Sequence, residues 1–371
     1  MLSLEPSIKR GLTFWDRSLL PTDEFDERVR LVRAEMRRHG IDALIIAGDM
    51  YDDEDLVFLV GYQVDGVFVL PLEAEPAIFT NSGSRESSFL REMTWIADLS
   101  HRGAQTGRAV ADTLRARGIA GGRIGTVALH GLAGNPYRAL MQNLSDYTVE
   151  DFTPPYRQLR ALPRPRERLA VQMASGIAEK AAAAASRIFA AGGSNAESVI
   201  AAERIARREG AWDVRILANL DGMGLRPFER LSATRQSPLL LWVATRYQGY
   251  WADRAIDLSP DTTEAARAIE AMVGAIKPGA AVRDVAEHGL HKLSAPARQS
   301  ALAHGLGGGI GIALNMRPLI HPASTETFAQ GMLLSLHVFA SQSLSTAIVE
   351  VGTNGAVPIP SRPRSSAPEA A

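Results

Sequence analysis

At 371 residues the chain exceeds one ordinary hydrophobic core, so two domains are expected. The 40 basic and 41 acidic residues nearly cancel, which excludes a global field drawing it to nucleic acid or an anionic membrane. The absence of cysteine excludes disulfides, thiolate metal sites and a cysteine nucleophile, and is compatible with the cytoplasmic location expected here.

The opening MLSLEPSIKRGLTFW has no apolar core of a signal peptide, and the longest apolar runs, such as PLLLWVA at 238–244, fall far short of a membrane span. Between Asp23 and Gly40, Phe25, Val29, Val32 and Met36 recur at helical spacing, and Gly40 stops the helix. Ala43 to Ala47 reads as a strand. The acidic run Asp52, Asp53, Glu54 and Asp55 reads as a solvated turn, followed by strands at Leu56–Val60, Gly66–Leu70 and Pro76–Thr80. A helix at Thr106–Arg117 and a strand at Arg123–Leu129 continue an alternation that indicates an α/β layer with a mostly parallel sheet.

Four prolines between Asp151 and Pro165 mark the domain boundary, and the arginines around it (157, 160, 164, 166, 168) read as a solvated linker. The expected division is 1–157, 158–360 and a disordered tail at 361–371. An alanine-rich helix spans about Arg166 to Ala190. Ile188–Ala211 and Ala275–Ala297 then share one plan, a helix end, a glycine turn and a second helix, which suggests a pseudo-symmetric α+β domain. Ser194 or Asn195 caps the first copy, with Glu197 in its opening turn.

Five glycines fall within Gly305–Gly311, in LGGGIGIALNMRP. The segment is not a dinucleotide fingerprint, since no start places glycines first, third and sixth. Neither a P-loop nor a Gly-x-Ser-x-Gly elbow occurs.

RPRERLAVQMASGIAEKAAAAA, KPGAAVRDVAE, RYQGYWADRAIDLS, LGGGIGIALNMRP and QGMLLSLHVF, in this order, resemble segments of the pita-bread fold of the creatinase, prolidase, Xaa-Pro aminopeptidase and methionine aminopeptidase superfamily. HGIDALII and LVFLVGY resemble the smaller domain of its creatinase and prolidase branches. The resemblance implies a smaller N-terminal α/β domain, a C-terminal pita-bread domain with a curved, mostly antiparallel sheet, and a homodimer. It also implies two divalent metals held by two aspartates, a histidine and two glutamates. The five matching positions hold Trp242, Asp253, Gly308, His337 and Thr346, with Glu350 four residues beyond the last. One of the five ligands is kept, so no metal and no cofactor are expected.

The expected function is therefore a metal-independent, creatinase-like enzyme acting on a C–N bond of a small carboxylate-bearing metabolite. A non-catalytic peptide- or ligand-binding pseudo-peptidase is the alternative, and a divalent-metal Xaa-Pro aminopeptidase the third. Asp253 and His337 are the expected acid–base pair. Arg226 and Arg317 are expected to clamp an anion, with Asn315 beside them. Trp242 is placed to fill the metal space or stack on a ligand. Tyr62 is assigned to a partner's cavity, and His321 to a second base.

Overall fold

The computed structural model describes residues 13–49, 53–81, 83–219, 224–227, 235–258, 263–340 and 343–360. Asp52 of the acidic run and the tail from 361 lie outside the described residues. The chain divides into two compact units, Phe14–Ala161 and a second from Leu162.

The first unit contains α1 (Thr22–His39), β1 (Ala43–Gly48), α2 (Glu54–Val60), β2 (Gly66–Pro71), β3 (Ala77–Thr80), α3 (Ser84–Met93), β4 (Asp98–His101), α4 (Thr106–Ala116), β5 (Arg123–Val127), α5 (Gly134–Asn143), β6 (Thr148–Asp151) and α6 (Thr153–Leu159). Acidic residues open α1, basic residues close it, and Gly40 ends it in the left-handed region, φ 66°. The six strands run in the order β4-β3-β2-β1-β5-β6. The β1–β5, β5–β6 and β3–β4 pairs are parallel, while β1–β2 and β2–β3 are antiparallel.

Leu56–Val60, expected as a strand, is the body of α2. A short continuous apolar run carries no period, and here every residue from Asp55 to Val60 is buried, so the helix has no polar face to betray it. Its acidic opening, expected to be solvated, is buried as well: Asp53 and Asp55 are 3% and 1% exposed. Arg157 donates to the Asp55 carboxylate at 2.9 and 2.6 Å, and Arg160 reaches it at 2.7 Å. The Tyr156 hydroxyl donates to the Asp55 carbonyl at 2.6 Å. The first two arginines of the supposed linker thus clasp α6 to α2.

The second unit contains α7 (Pro165–Ala190), α8 (Asn195–Arg208), β7 (Asp213–Asn219), β8 (Leu225–Pro227), β9 (Leu240–Tyr247), β10 (Tyr250–Asp257), α9 (Glu264–Ala275), α10 (Val282–Leu290), α11 (Ala295–His304), β11 (Gly307–Gly309), β12 (Met316–Leu319), β13 (Leu333–Ala340), β14 (Ser343–Val351) and β15 (Ala356–Pro358). Both helix pairs of the internal repeat are present. Ser194 caps α8 by accepting the Glu197 amide at 3.2 Å, and Glu197 returns a bond to the Ser194 amide at 2.7 Å.

Two antiparallel sheets carry this unit, ordered β10-β9-β7-β8 and β12-β11-β13-β14-β15. Helix α7 lies on β9 and β10, where the Thr245 hydroxyl donates to the Ala174 carbonyl. Helices α9 and α10 bury Ala268, Met272 and Val285 in one core with Leu336 and Val338 of β13. The sheets meet where β10 passes β14. There the Ala255 amide donates to Thr346 Oγ1 at 2.7 Å, and the Leu344 amide to the Asp257 carboxylate at 2.8 Å.

Strand β11 is glycine because its neighbours leave no room. A Cβ on Gly307, whose φ is 103°, would sit 2.0 Å from the Ser335 carbonyl oxygen, and one on Gly309 2.6 Å from that of Arg317. Among the described residues no helix is long and apolar enough to cross a membrane.

Candidate functional site

Four of the five positions singled out by the resemblance are brought together by β9, β10, β13 and β14. Trp242 on β9 pairs with Ala255 of β10, so Asp253, two residues along, lies diagonally on the same face. On β13 the two-residue period puts Ser335 and His337 on one face, and His337 pairs with Thr346 of β14. Gly308 of β11 pairs with Ser335.

Asp253 is 3% exposed, and both its oxygens are engaged. Ser335 Oγ lies 2.8 Å from each, and the Trp242 indole N–H donates at 2.9 Å. The expected acid–base pair, Asp253 and His337, is close enough for the two groups to act on each other through charge, without a direct hydrogen bond. Burial pushes the Asp253 carboxyl above its usual range, against the pull of His337, Ser335 and Trp242. Burial likewise pushes His337 below the usual histidine value; Asp253 opposes this and His304 adds to it. The His337 ring is half-buried, and its Nδ1 is buried with no hydrogen-bond partner. Beside it Trp242, Leu225 and Ala255 pack on Leu240, Phe339 and Leu344, and the His304 ring lies 4.6 Å from that of Phe339.

The arrangement therefore offers one buried carboxylate, one imidazole inclined to stay neutral, and an aromatic flank. These donors do not fit a two-metal centre. Trp242 presents only an N–H donor, Gly308 has no side chain, and the Thr346 hydroxyl is committed to the Ala255 amide. Glu350 lies away from this cluster in an ion pair with Arg168 at 3.3 Å. Among the described residues, no three His, Cys, Asp or Glu side chains converge on a point that could hold a metal.

The other sequence candidates are scattered. Arg317 is largely exposed and paired with Glu326 at 3.2 Å, and Asn315 is exposed. His321 accepts the Ala323 amide at 3.0 Å, the bond of a turn rather than of a waiting base. Arg226 is half-buried on β8, opposite Ala218 of β7. Tyr62 belongs to the first unit, where it is 3% exposed and meets Phe89 edge-on at 5.7 Å. Ser335 is the residue that the sequence reading missed. Its signal is present in GMLLSLHVF, where a lone hydroxyl interrupts an apolar strand two residues before the histidine.

Residues 28–162 match the creatinase/prolidase N-terminal domain. The X-Pro aminopeptidase from Thermotoga maritima is similar over 91% of this chain and 98% of its own, with TM-score 0.71 and 14% identity. The chain therefore has the fold of these prolidase-like proteins, and residues 28–162 carry the creatinase/prolidase N-terminal domain. The dipeptidase PepE from Mycobacterium ulcerans is similar at TM-score 0.68 and 21% identity, over 94% of this chain and 98% of its own. The N-terminal domain of the FACT complex subunit SPT16 from chickpea is similar at TM-score 0.62 and 15% identity, over 90% and 95%. A search of curated protein sequences found no match. Two of these three pita-bread relatives are named for peptide hydrolysis and the third for a complex, so the shared fold is peptidase-like and the chemistry must be read from the side chains.

Proposed function

We propose that this chain is a metal-independent, creatinase-like enzyme. It acts on a C–N bond of a small carboxylate-bearing metabolite, by amide or amidine hydrolysis or by a rearrangement assisted by proton transfer. The observation that carries this reading is the convergence of Trp242, Asp253 and His337, three of the positions matched to the family's metal ligands, with Ser335 bonded to Asp253 between them.

In hydrolysis, neutral His337 takes a proton from the attacking water while the Asp253 charge stabilises the imidazolium that forms. The proton then passes to the departing nitrogen as the C–N bond breaks. Arg226, half-buried on β8, holds the substrate carboxylate in place of the exposed Arg317. Leu225, its neighbour, packs on the same apolar cluster as Trp242. A cytoplasmic homodimer belongs to the same reading, and light scattering on the purified chain tests the oligomer.

The test is turnover after exhaustive chelation, with metal content measured in the same sample. Purified chain is screened against amide and amidine metabolites for release of ammonia or amine. Turnover is expected to persist without metal and to be lost in His337→Ala and Asp253→Asn, both still folded. Activity that appears only on adding a divalent ion, or that survives both substitutions, overturns the reading.

A second reading, a non-catalytic binding module, is favoured by the likeness to the SPT16 domain, which is named for a complex rather than a reaction. Heat of peptide binding without product would support it. The third, a divalent-metal Xaa-Pro aminopeptidase, requires two tightly bound ions per chain, and the same metal analysis decides it.

A further inference from the structure

Nδ1 of His337 is buried and has no hydrogen-bond partner among the described residues. Folded proteins rarely leave a buried polar atom in that state, and an exception calls for a ligand, a water or a chemical role. Polar groups of the same cluster are committed elsewhere. Both Asp253 oxygens go to Ser335 and Trp242, Thr346 Oγ1 goes to the Ala255 amide, and His304 Nδ1 meets the Ser300 carbonyl at 3.0 Å. Near Nε2 the chain carries a glycine: a methyl group on Gly305 would stand 3.9 Å from it. The ring is held by its strand and its packing rather than by hydrogen bonds, so Nδ1 is kept in place with its bonding capacity unused.

We infer that His337 meets its ligand through Nδ1, and that what it accepts there is a neutral hydrogen-bond donor, an amide or amidine N–H or the O–H of the attacking water. This rests on the acid–base reading above. It assigns the neutral ring one tautomer, with the proton on Nε2 and a bare acceptor at Nδ1. As the O–H or N–H bond breaks, its proton moves to Nδ1 and the electron pair stays on the oxygen or nitrogen left behind. Asp253 supports the resulting charge without touching the ring.

The experiment is nitrogen-15 NMR of the full chain labelled at histidine, near pH 8, with His337→Phe used to assign the ring. Acetamide serves as the probe, a neutral N–H donor without a carboxylate. Nδ1 is expected to give the signal of an unprotonated ring nitrogen that moves on adding acetamide, while Nε2 stays protonated. His337→Asn sets an amide near the place of Nδ1, and His337→Gln near that of Nε2. Acetamide affinity is expected to stay within about tenfold of the parent in the first and to be lost in the second, a gap of at least one hydrogen bond. A proton on Nδ1, a signal indifferent to acetamide, or the reverse ranking of the two variants overturns the inference. If the parent chain turns over no substrate but Nδ1 responds, the enzymatic reading fails and this one stands. If turnover is found with the proton on Nδ1, the opposite holds.

Discussion

Asp55 in the first unit and Asp253 in the second are buried almost equally, and they are given opposite company. Asp55 is met by two guanidinium groups, Arg157 and Arg160, and its backbone carbonyl takes the Tyr156 hydroxyl. Asp253 is met by a hydroxyl, an indole N–H and an imidazole that burial inclines toward neutrality. A desolvated carboxylate beside two cations is settled, and its use is to join α2 to α6 across about a hundred residues of chain. A desolvated carboxylate with only dipoles around it sits above its usual range and responds to any proton or cation that arrives. The first arrangement holds structure, and the second holds reactivity.

The largest effect that tests this contrast is Asp55→Ala. It strands Arg160 in the interior and should cost the first unit about 3–5 kcal/mol in chemical denaturation, the range for breaking a buried ion pair. A cost below about 1 kcal/mol would mean that the clasp is ornamental. Ser335→Ala removes a hydrogen bond to a charged group and is expected to cost about 1.5–3 kcal/mol. Trp242→Phe keeps most of the ring and loses the N–H, so about 1–2 kcal/mol is expected; no change in urea midpoint would show that the indole bond adds nothing.

The smallest effect is in the pH dependence. His337 is held below its ordinary value, so the unfolded chain binds a proton there that the folded chain refuses. Stability tied to His337 is therefore fully present above about 6.5 and is lost as pH falls toward the folded value. Asp253 works the other way: it is held high, so its contribution is lost as pH rises above about 4 through the folded value. His337→Phe should flatten the acid arm of a stability–pH curve below about pH 6.5. An unchanged arm would place the sensitivity in another group.

Much of the architecture was legible because it rests on local rules. Ser194 and Glu197 announce the start of α8, Gly40 the end of α1, and the alanine-rich run the long helix α7. The run LVFLV was misread because a segment buried on every side shows neither a helical nor a strand period. The acidic turn before it was misread because its partners, Arg157 and Arg160, stand a hundred positions away, and spacing along the chain cannot reveal such pairs. At the candidate site, Asp253, His337 and Trp242 were found through the positions they occupy. Ser335 was passed over because a serine in an apolar strand announces nothing until its facing carboxylate is known. Arg317 stands apart from these residues, exposed and paired with Glu326 nine residues on, a partner that the reading did not weigh.

Strand β11 bears on what this scaffold could become. A Cβ on Gly308 would stand 3.0 Å from the carbonyl oxygens of both Met316 and Pro318, closer than ordinary side-chain contact. An imidazole placed there would press on β12, whose backbone would have to give by a few tenths of an ångström. A ligand supplied at this position would therefore strain the pairing around it, and the glycine that leaves the cluster bare also keeps β11 seated between β12 and β13.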